Sequence, residues 1–200
     1  MYSEKPLKVY FDELSSNSHT PGGGSGVPLV GALSASIACF IINLTKNKKK
    51  YTQFESQLSD LAIRAEKLKI DFLPLIDKDC EVLNNILESY RVSNSNPESH
   101  FKIIKYAIQF SIDICKMCLD VLYIGLELSQ IGNKMLSSDL EIIALLGESS
   151  LKSSISNIKI NINGLSDTEY CNSIQKKCIE MQLEGNKLKD EIINNIQLNF

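Results

Sequence analysis

The amino-acid sequence predicts an all-α fold, a single-domain bundle of five to six long helices that covers residues 1–200. Apolar residues recur every three or four positions over most of the chain, which is the period of one helix face. Short polar stretches rich in turn residues, such as "RVSNSNPES", separate these periodic segments. Only "NIKININGL" alternates like a strand. Because no second such segment exists to pair with it, we interpret it as a helix end or an extended tail.

The first half of the chain carries three predicted helices. A short amphipathic helix spans about 9–15, and a glycine-rich loop then leads into an apolar helix over about 27–44. This second helix should be buried on all sides, with Ser25 as its N-cap and Pro28 in its first turn. A basic connection, "KNKKK", precedes the third helix, which runs over about 52–90 and which Pro74 should bend or split.

The second half carries three more predicted helices. One spans about 97–131. Ser138 and Glu141 have the spacing of a capping box and should start the next helix, which runs to about 159. The last helix covers about 167–196.

Composition excludes several classes of function. The chain is 44% hydrophobic and 22% charged, as folded globular proteins are, and its net charge of -3 offers no basic field for nucleic acid. No secretory signal opens the sequence, so we expect a cytoplasmic protein whose six cysteines, including Cys115 and Cys118, are free thiols. With only two histidines, His19 and His100, the sequence argues against a His-based metal site. The uncharged segment 27–44 is diluted by Pro, Gly, Ser and Asn, so it predicts a core helix and no membrane partner.

Asp79 is the first candidate for chemistry. It occupies a position that the period of Phe72, Ile76 and Leu83 assigns to the apolar face, so its carboxylate should point into the interior or into a cleft. A buried carboxylate needs a partner or takes a raised pKa, and both mark candidate sites. The simpler interpretation is that it pairs with a lysine or caps a neighbouring helix. Asp77 lies about 200° away around the helix and cannot share its direction.

Other residues allow a functional and a structural interpretation. Asp139 is either a site residue or an acid placed to favour a helix dipole. The lysine run is either a solvated surface or an anion site. Asn157 and Asn161 lie four apart and share a face if the helix continues, where they either bind a heterocycle or are merely exposed. Gly22, Gly23 and Gly24 are either a tight packing turn or backbone amides that hold an anion.

Four motifs in order resemble the formimidoyltetrahydrofolate cyclodeaminase and methenyltetrahydrofolate cyclohydrolase family. The segment "TPGGGSGVPLVGALSASIACFIINLTKNKKKY" is similar to its opening, and "LIDKDCEVLNNILESY" to its acidic helix. The segments "IGNKMLSSDLEIIALL" and "SISNIKININGL" resemble its next two motifs. Together they span about residues 20–165.

The resemblance implies a dimeric, all-helical folate enzyme that needs no metal or organic cofactor. Such enzymes close 5-formimidoyltetrahydrofolate to 5,10-methenyltetrahydrofolate with loss of ammonia, or hydrolyse the methenyl bridge to 10-formyltetrahydrofolate. Asp79 is the first choice for the acid/base group and Asp139 the second. The residues expected to bind substrate are Gly22, Gly23, Gly24 and Ser25 along the cleft, Asn157 and Asn161 at the pterin, and Lys48, Lys49 and Lys50 at a glutamate tail with or without polyglutamylation.

The sequence departs from the family pattern at several positions. Gly26, Val27 and Pro28 stand where small alanines are usual, and Glu141 stands where glycine is common. Cys80, Val82 and Leu83 replace the usual small and aromatic residues after the second Asp of the acidic helix. Pro28 and Glu141 motivate an alternative, a folate-binding or interaction protein of the same fold that has lost catalysis.

Overall fold

The structure, a computed structural model, describes residues 1–92 and 95–198 and contains no strand within those ranges. Its helices are α1 (Leu7–Leu14), α2 (Gly23–Thr45), α3 (Glu55–Val92), α4 (Pro97–Ile131), α5 (Ser137–Ile162) and α6 (Thr168–Leu198). Short 3-10 segments lie at Tyr2–Glu4, Lys49–Phe54 and Lys134–Leu136. The prediction of an all-α bundle with five to six long helices is confirmed.

The central helix α2 lies in a slot between α3 and α5, over α4. It packs closely on α3 because Gly31 has no side chain: a Cβ there would lie 2.6 Å from the Phe72 ring. Buried hydroxyls fix α5 on its other side, where Ser34 donates to the Ile143 carbonyl at 3.1 Å and Ser150 donates to the Val27 carbonyl at 2.8 Å. Residue numbers on α5 rise as those on α2 fall, and the same holds on α3, where Gly31 lies against Phe72 and Gly24 against Asp79. Helix α2 is therefore antiparallel to both neighbours.

One face of α2 is not covered by the bundle. Leu33, Phe40 and Leu44 are 52%, 48% and 38% exposed, so the expectation that this helix is buried on all sides is wrong. The helix is long and apolar enough to pass a test for a membrane span, although half of the stretch that passes is buried in the bundle. Core helices pass the same test, and the packing of α2 on three other helices is that of a core helix.

Several local predictions at helix ends and prolines are wrong. Gly22 is the N-cap of α2, and Ser25 is the third residue of the helix, where its hydroxyl donates to the Gly22 carbonyl instead. Pro28 is therefore the sixth residue and lies beyond the first turn. Helix α3 continues through Pro74, so the split does not occur, whereas the alternative of a bend stays a prediction. No side chain caps α5, which starts at Ser137, so the predicted capping box of Ser138 does not form.

The thiols and the strand-like segment behave as expected. All six cysteines are free, and Cys115 and Cys118 are buried in α4. The alternating isoleucines of "NIKININGL" belong to the end of α5, which continues to Ile162.

Candidate active site

A cleft opens where α2 begins. Helices α3, α4 and α5 all extend past the first turn of α2. The slot that holds α2 therefore continues beyond its N-terminal end at Gly24, where no helix fills it. This cleft has a volume of about 160 Å³. It is lined by Gly24, Asp79, Val82, Leu83, Ile86, Ala107, Phe110, Ser111, Asn157, Ile160 and Asn161.

Asp79 faces this cleft from α3, as its place in the apolar period predicts. Its carboxylate lies against the first turn of α2, since a Cβ on Gly24 would be 2.5 Å from Oδ1 and 2.7 Å from Oδ2. Burial raises the pKa of Asp79 from 3.8 to about 6, and no cation or hydrogen-bond donor among the described residues opposes this shift. The alternative that Asp79 pairs with a lysine is therefore wrong for the described chain. The cleft holds a carboxyl group that changes charge near neutral pH.

Asn157 and Asn161 line the opposite wall of the cleft. Both belong to α5, which runs without a break to Ile162, so they are one turn apart on a single face as predicted. Each amide offers two donors and one acceptor oxygen. Apart from Ser111, the remaining side chains of the lining are apolar, so the asparagines and Asp79 are the groups that can orient a polar ligand.

The glycine triplet divides over three environments. Gly24 alone lines the cleft, and Gly22 only touches its wall, because a Cβ there would be 3.3 Å from Leu83 Cδ2. Gly23 is exposed and borders a separate depression of about 190 Å³ between α2 and α5. No described glycine has a positive φ, so close approach of Asp79 at Gly24 explains this triplet better than an unusual backbone angle does.

Ser25 lies behind the glycine loop and away from the cleft lining. It is fully buried, and its Oγ is 2.9 Å from the hydroxyl of Tyr10 and 2.7 Å from the Gly22 carbonyl. Tyr10, on α1, is itself 2% exposed. The two hydroxyls tie α1 to the first turn of α2, so Ser25 holds the loop in place instead of contacting a ligand in this cleft.

Asp77 has a separate structural role. Its carboxylate accepts the backbone N–H of Tyr2 at 2.8 and 3.0 Å, which anchors the first residues of the chain on α3. As predicted, it does not face the same direction as Asp79.

Two groups of predicted site residues lie at the other end of the bundle. Asp139 sits in the first turn of α5, 18 residues or about 27 Å before Asn157. Lys48, Lys49 and Lys50 are exposed and follow the C-terminal end of α2, about 32 Å from Gly24 along the helix. One chain therefore does not bring Asp139 or the lysine run to the cleft of Asp79.

The sequence departures fall both inside and outside the cleft: Val82 and Leu83 line it, whereas Pro28 and Glu141 do not. Glu141 is exposed near the start of α5, at the end far from Asp79, and Pro28 is buried one turn beyond Gly24. Neither belongs to the cleft lining.

Some residues of the site were not predicted from the sequence. Leu83 and Ile86 belong to the apolar period of α3 and give no signal that they face a cavity. Phe110, Ser111 and Tyr10 depend on how α4 and α1 pack, which no local pattern encodes. Within the described ranges, no group of three or more His, Cys, Asp or Glu side chains is arranged to hold a metal ion.

The arrangement is suited to proton transfer next to a flat polar ligand. A carboxyl group with a pKa near 6 acts as an acid or as a base close to neutral pH. The apolar walls lower the local dielectric and strengthen its interaction with a cationic ligand. The two amides of the lining can donate to and accept from a ring edge that has both donors and acceptors.

Comparisons with known proteins agree with this fold. The sequence model of the family described as formiminotransferase-cyclodeaminase matches residues 6–180. A methenyltetrahydrofolate cyclohydrolase of Methylorubrum extorquens is 24% identical over 98% of both chains. A formimidoyltransferase-cyclodeaminase of Gallus gallus is 21% identical over 83% of this chain, which covers 32% of that longer protein.

A solved structure has the same architecture. The crystal structure of a formiminotetrahydrofolate cyclodeaminase from Thermotoga maritima superposes with a TM-score of 0.93 over 98% of both chains, at 22% identity. Because the family match extends over most of the 200 residues, the chain belongs to the formiminotransferase-cyclodeaminase family.

Proposed function

We propose that the protein is a folate one-carbon enzyme that interconverts 5-formimidoyl-, 5,10-methenyl- and 10-formyltetrahydrofolate, with Asp79 as the acid/base group. The observation that carries this proposal is the unpaired Asp79 carboxylate, which lies between the first turn of α2 and two asparagines in a mostly apolar cleft. The names of the relatives support the substrate class. The cyclohydrolase relative matches over its whole length, whereas the chain spans about a third of the formimidoyltransferase-cyclodeaminases.

In the hydrolytic direction, Asp79 acts as a general base. A water molecule attacks the cationic methenyl carbon between N5 and N10, and ionised Asp79 takes a proton from that water as the C–O bond forms. The C–N5 bond of the resulting carbinolamine then breaks: its electron pair goes to N5, which takes back the proton held by Asp79, and the hydroxyl group loses its proton to solvent, so that a formyl group is left on N10. The negative charge of Asp79 stabilises the cation before attack.

In ring closure, Asp79 acts as a general acid. N10 attacks the formimidoyl carbon and forms a tetrahedral aminal, from which the amino group must leave. Protonated Asp79 donates to this nitrogen, so that ammonia departs with the electron pair of the C–N bond and the methenyl cation remains. The raised pKa keeps a useful fraction of Asp79 protonated near pH 6.

Asn157 and Asn161 orient the pterin in this proposal. They line the cleft together with Asp79, and their amides match a ring edge with adjacent donors and acceptors. The cleft volume of about 160 Å³ is below the roughly 300–1,000 Å³ of sites that enclose drug-sized ligands, so it holds only the reacting part of the substrate. The remainder, including a glutamate tail with or without polyglutamylation, extends outside it.

We also propose a cytoplasmic homodimer that uses no metal and no organic cofactor. Acid/base chemistry on an already activated cation or amidine requires neither. Turnover that is unchanged after dialysis against a chelator supports this part of the proposal, and turnover that is lost and then restored by a metal ion contradicts it.

The test follows the methenyl chromophore with the purified protein. Loss of absorbance from 5,10-methenyltetrahydrofolate identifies the cyclohydrolase, and its appearance from 5-formimidoyltetrahydrofolate identifies the cyclodeaminase. D79N should reduce either rate at least about a hundredfold, within the range of general acid/base catalysis, while the fold stays intact. D190N is the matched control, because Asp190 is an exposed residue of α6 outside the cleft lining, and it should keep the wild-type rate. A D79N variant with nearly normal turnover contradicts the role of Asp79.

The alternative, a folate-binding protein without catalysis, predicts a different experimental result. Calorimetric titration with 5-formyltetrahydrofolate that gives binding heat, in a protein with no turnover of either substrate, supports a folate-binding protein of this fold.

A further inference from the structure

The hydroxyl of Ser111 is an exception among the buried polar groups of the bundle. Nine polar side chains of the described residues are buried, and eight of them have a hydrogen-bond contact with another group of the chain. Ser111 is 5% exposed, and its hydroxyl has no such contact within the described residues. A serine within a helix commonly bonds to the carbonyl one turn before it, as Ser36 does, so the free hydroxyl of Ser111 needs another explanation.

The Ser111 hydroxyl opens into the cleft of Asp79. Ser111 belongs to the lining of this cleft. Among the described residues, the only fully buried side-chain N or O atom without a partner is Asn186 Oδ1, so the Ser111 Oγ keeps contact with open space. Because the cleft is the cavity that Ser111 lines, its hydroxyl is available to a molecule bound there.

The helix contacts place Ser111 at the closed end of the cleft, beside the first turn of α2. Ser153 of α5 borders the same depression as Gly23, the first residue of α2. Ser154 comes next on α5, and its hydroxyl donates to the Ser111 carbonyl at 2.8 Å. Ser111 therefore lies level with the residues at which α2 begins.

Asp79 reaches the same level from α3. Its carboxylate lies against Gly24, the second residue of α2, where a Cβ would be 2.5 Å from Oδ1. Neither this carboxylate nor the Ser111 hydroxyl has a hydrogen-bond partner among the described residues. Two such groups at one end of a mostly apolar cleft are satisfied together by one small molecule that donates a hydrogen bond to each.

We propose that Asp79 and Ser111 together hold the small reactant of the reaction, which is the attacking water in hydrolysis and the departing amino group in ring closure. This inference rests on the proposed function, because it assigns the site to the group that is added to or lost from the one-carbon bridge. Water and an amino group both fit a position between two acceptors, since each has two hydrogens and a lone pair.

The two acceptors orient the reactant. In hydrolysis, one hydrogen of the water points to the Asp79 carboxylate, which takes it as the C–O bond forms. The other hydrogen points to the Ser111 oxygen and stays on the water, so that a lone pair faces the methenyl carbon. In ring closure, the amino group of the aminal donates to Ser111, which turns the nitrogen lone pair toward protonated Asp79. Ammonia then leaves with that proton and with the electron pair of the C–N bond.

The experiment compares S111A with the wild type by the absorbance of the methenyl group. In each reaction that the wild type catalyses, S111A should lower kcat about tenfold, the effect of one lost hydrogen bond. Its KM should stay within about twofold of the wild type, because no contact to the folate itself is removed. S111C matches serine in size but has a weakly hydrogen-bonding thiol, so it should behave like S111A. The kcat/KM of hydrolysis by S111A should still rise with pH through about 6, because Asp79 is intact.

S129A is the matched control. Ser129 lies on the same helix, 18 residues or about 27 Å from Ser111, and its hydroxyl donates to the Leu126 carbonyl at 2.7 Å and accepts from Asn195 at 2.8 Å. S129A should therefore lower Tm and keep the wild-type kcat. S111A should not lower Tm, because its hydroxyl has no partner in the described chain to lose and alanine favours a helix.

The outcomes separate this inference from the proposed function. If S111A keeps the wild-type kcat, or if S111C restores it, the hydroxyl does not hold the reactant and the inference is overturned. A raised KM with an unchanged kcat also overturns it, because that result shows a contact to the folate instead. A wild type that turns over neither folate refutes the proposed function, and the inference with it.

Discussion

Replacing Asp79 by asparagine is expected to stabilise the folded protein at neutral pH while it removes turnover. Burial raises the pKa of Asp79 from 3.8 to about 6, so the folded protein binds this proton more tightly than the unfolded chain does. The stability due to the protonated carboxyl is fully present below about pH 3.8 and is lost as the pH rises through about 6. Asparagine is uncharged throughout and avoids this loss.

The magnitude follows from the two pKa values. A change from 3.8 to about 6 corresponds to roughly 3 kcal/mol, and because the cleft is open to solvent on one side the expected gain is about 1–3 kcal/mol. In a chain of 200 residues this corresponds to a rise in Tm of about 2–12 °C. The gain should be present at pH 7.5 and should shrink toward zero at pH 4.

Urea unfolding of wild type and D79N at both pH values measures this difference. D77N is the matched control two residues away, because Asp77 holds the Tyr2 backbone N–H and its replacement should give no gain at pH 7.5. If D79N is less stable than the wild type at pH 7.5, or if the difference does not change between the two pH values, the carboxylate is stabilised by a partner and the reasoning is refuted.

Three further predictions concern the site. G24A should lower kcat at least about tenfold, because its Cβ displaces the Asp79 carboxylate. Its Tm should change little, because alanine favours the helix by about 1 kcal/mol. G23A is the control: a Cβ there meets no atom within 4 Å, so this variant should keep the wild-type kcat. The kcat/KM of hydrolysis should rise with pH through about 6 and then stay level, whereas the kcat/KM of ring closure should decline above about pH 6. Profiles of kcat/KM against pH with the opposite slopes contradict the assigned roles. Y10F should lower the free energy of unfolding by about 1 kcal/mol through loss of the hydroxyl contact with Ser25, as chemical denaturation will measure, and an unchanged value shows that this contact contributes nothing net.

The fold and the central residue of the site were predictable from the sequence. Helix periodicity is a local property of the chain, so the start and end of α4 at Pro97 and Ile131 follow from it directly. Asp79 was found because a carboxylate at an apolar position contradicts the pattern around it, and Asn157 and Asn161 because helical spacing alone puts them on one face.

Features that depend on tertiary contact were not predictable in this way. Ser25 has the side chain of an N-cap, yet α2 begins two residues earlier and the Ser25 hydroxyl bonds to Tyr10 of α1. The apolar composition of α2 does not distinguish a helix that is buried on all sides within one chain from a helix that keeps one apolar face exposed. Asp139 was considered with Asp79 because both are acidic, although about two thirds of the length of α5 separates Asp139 from Asn157 in the cleft.

The residue at which α2 begins sets the length of the cleft that is left open for a ligand. From Asp79 to Ile86, the last residue of α3 in the cleft lining, the slot runs on for seven residues, or about 10 Å, which is the length that about two further turns of α2 would occupy. A substrate bound as proposed occupies the part of the slot that α2 would fill if it began earlier in the chain. Each residue added ahead of Gly23 in helical conformation shortens the open slot by about 1.5 Å, and each residue removed lengthens it by the same amount. A protein on this frame can therefore be matched to longer or shorter ligands by changing where one helix starts, with the three surrounding helices left as they are.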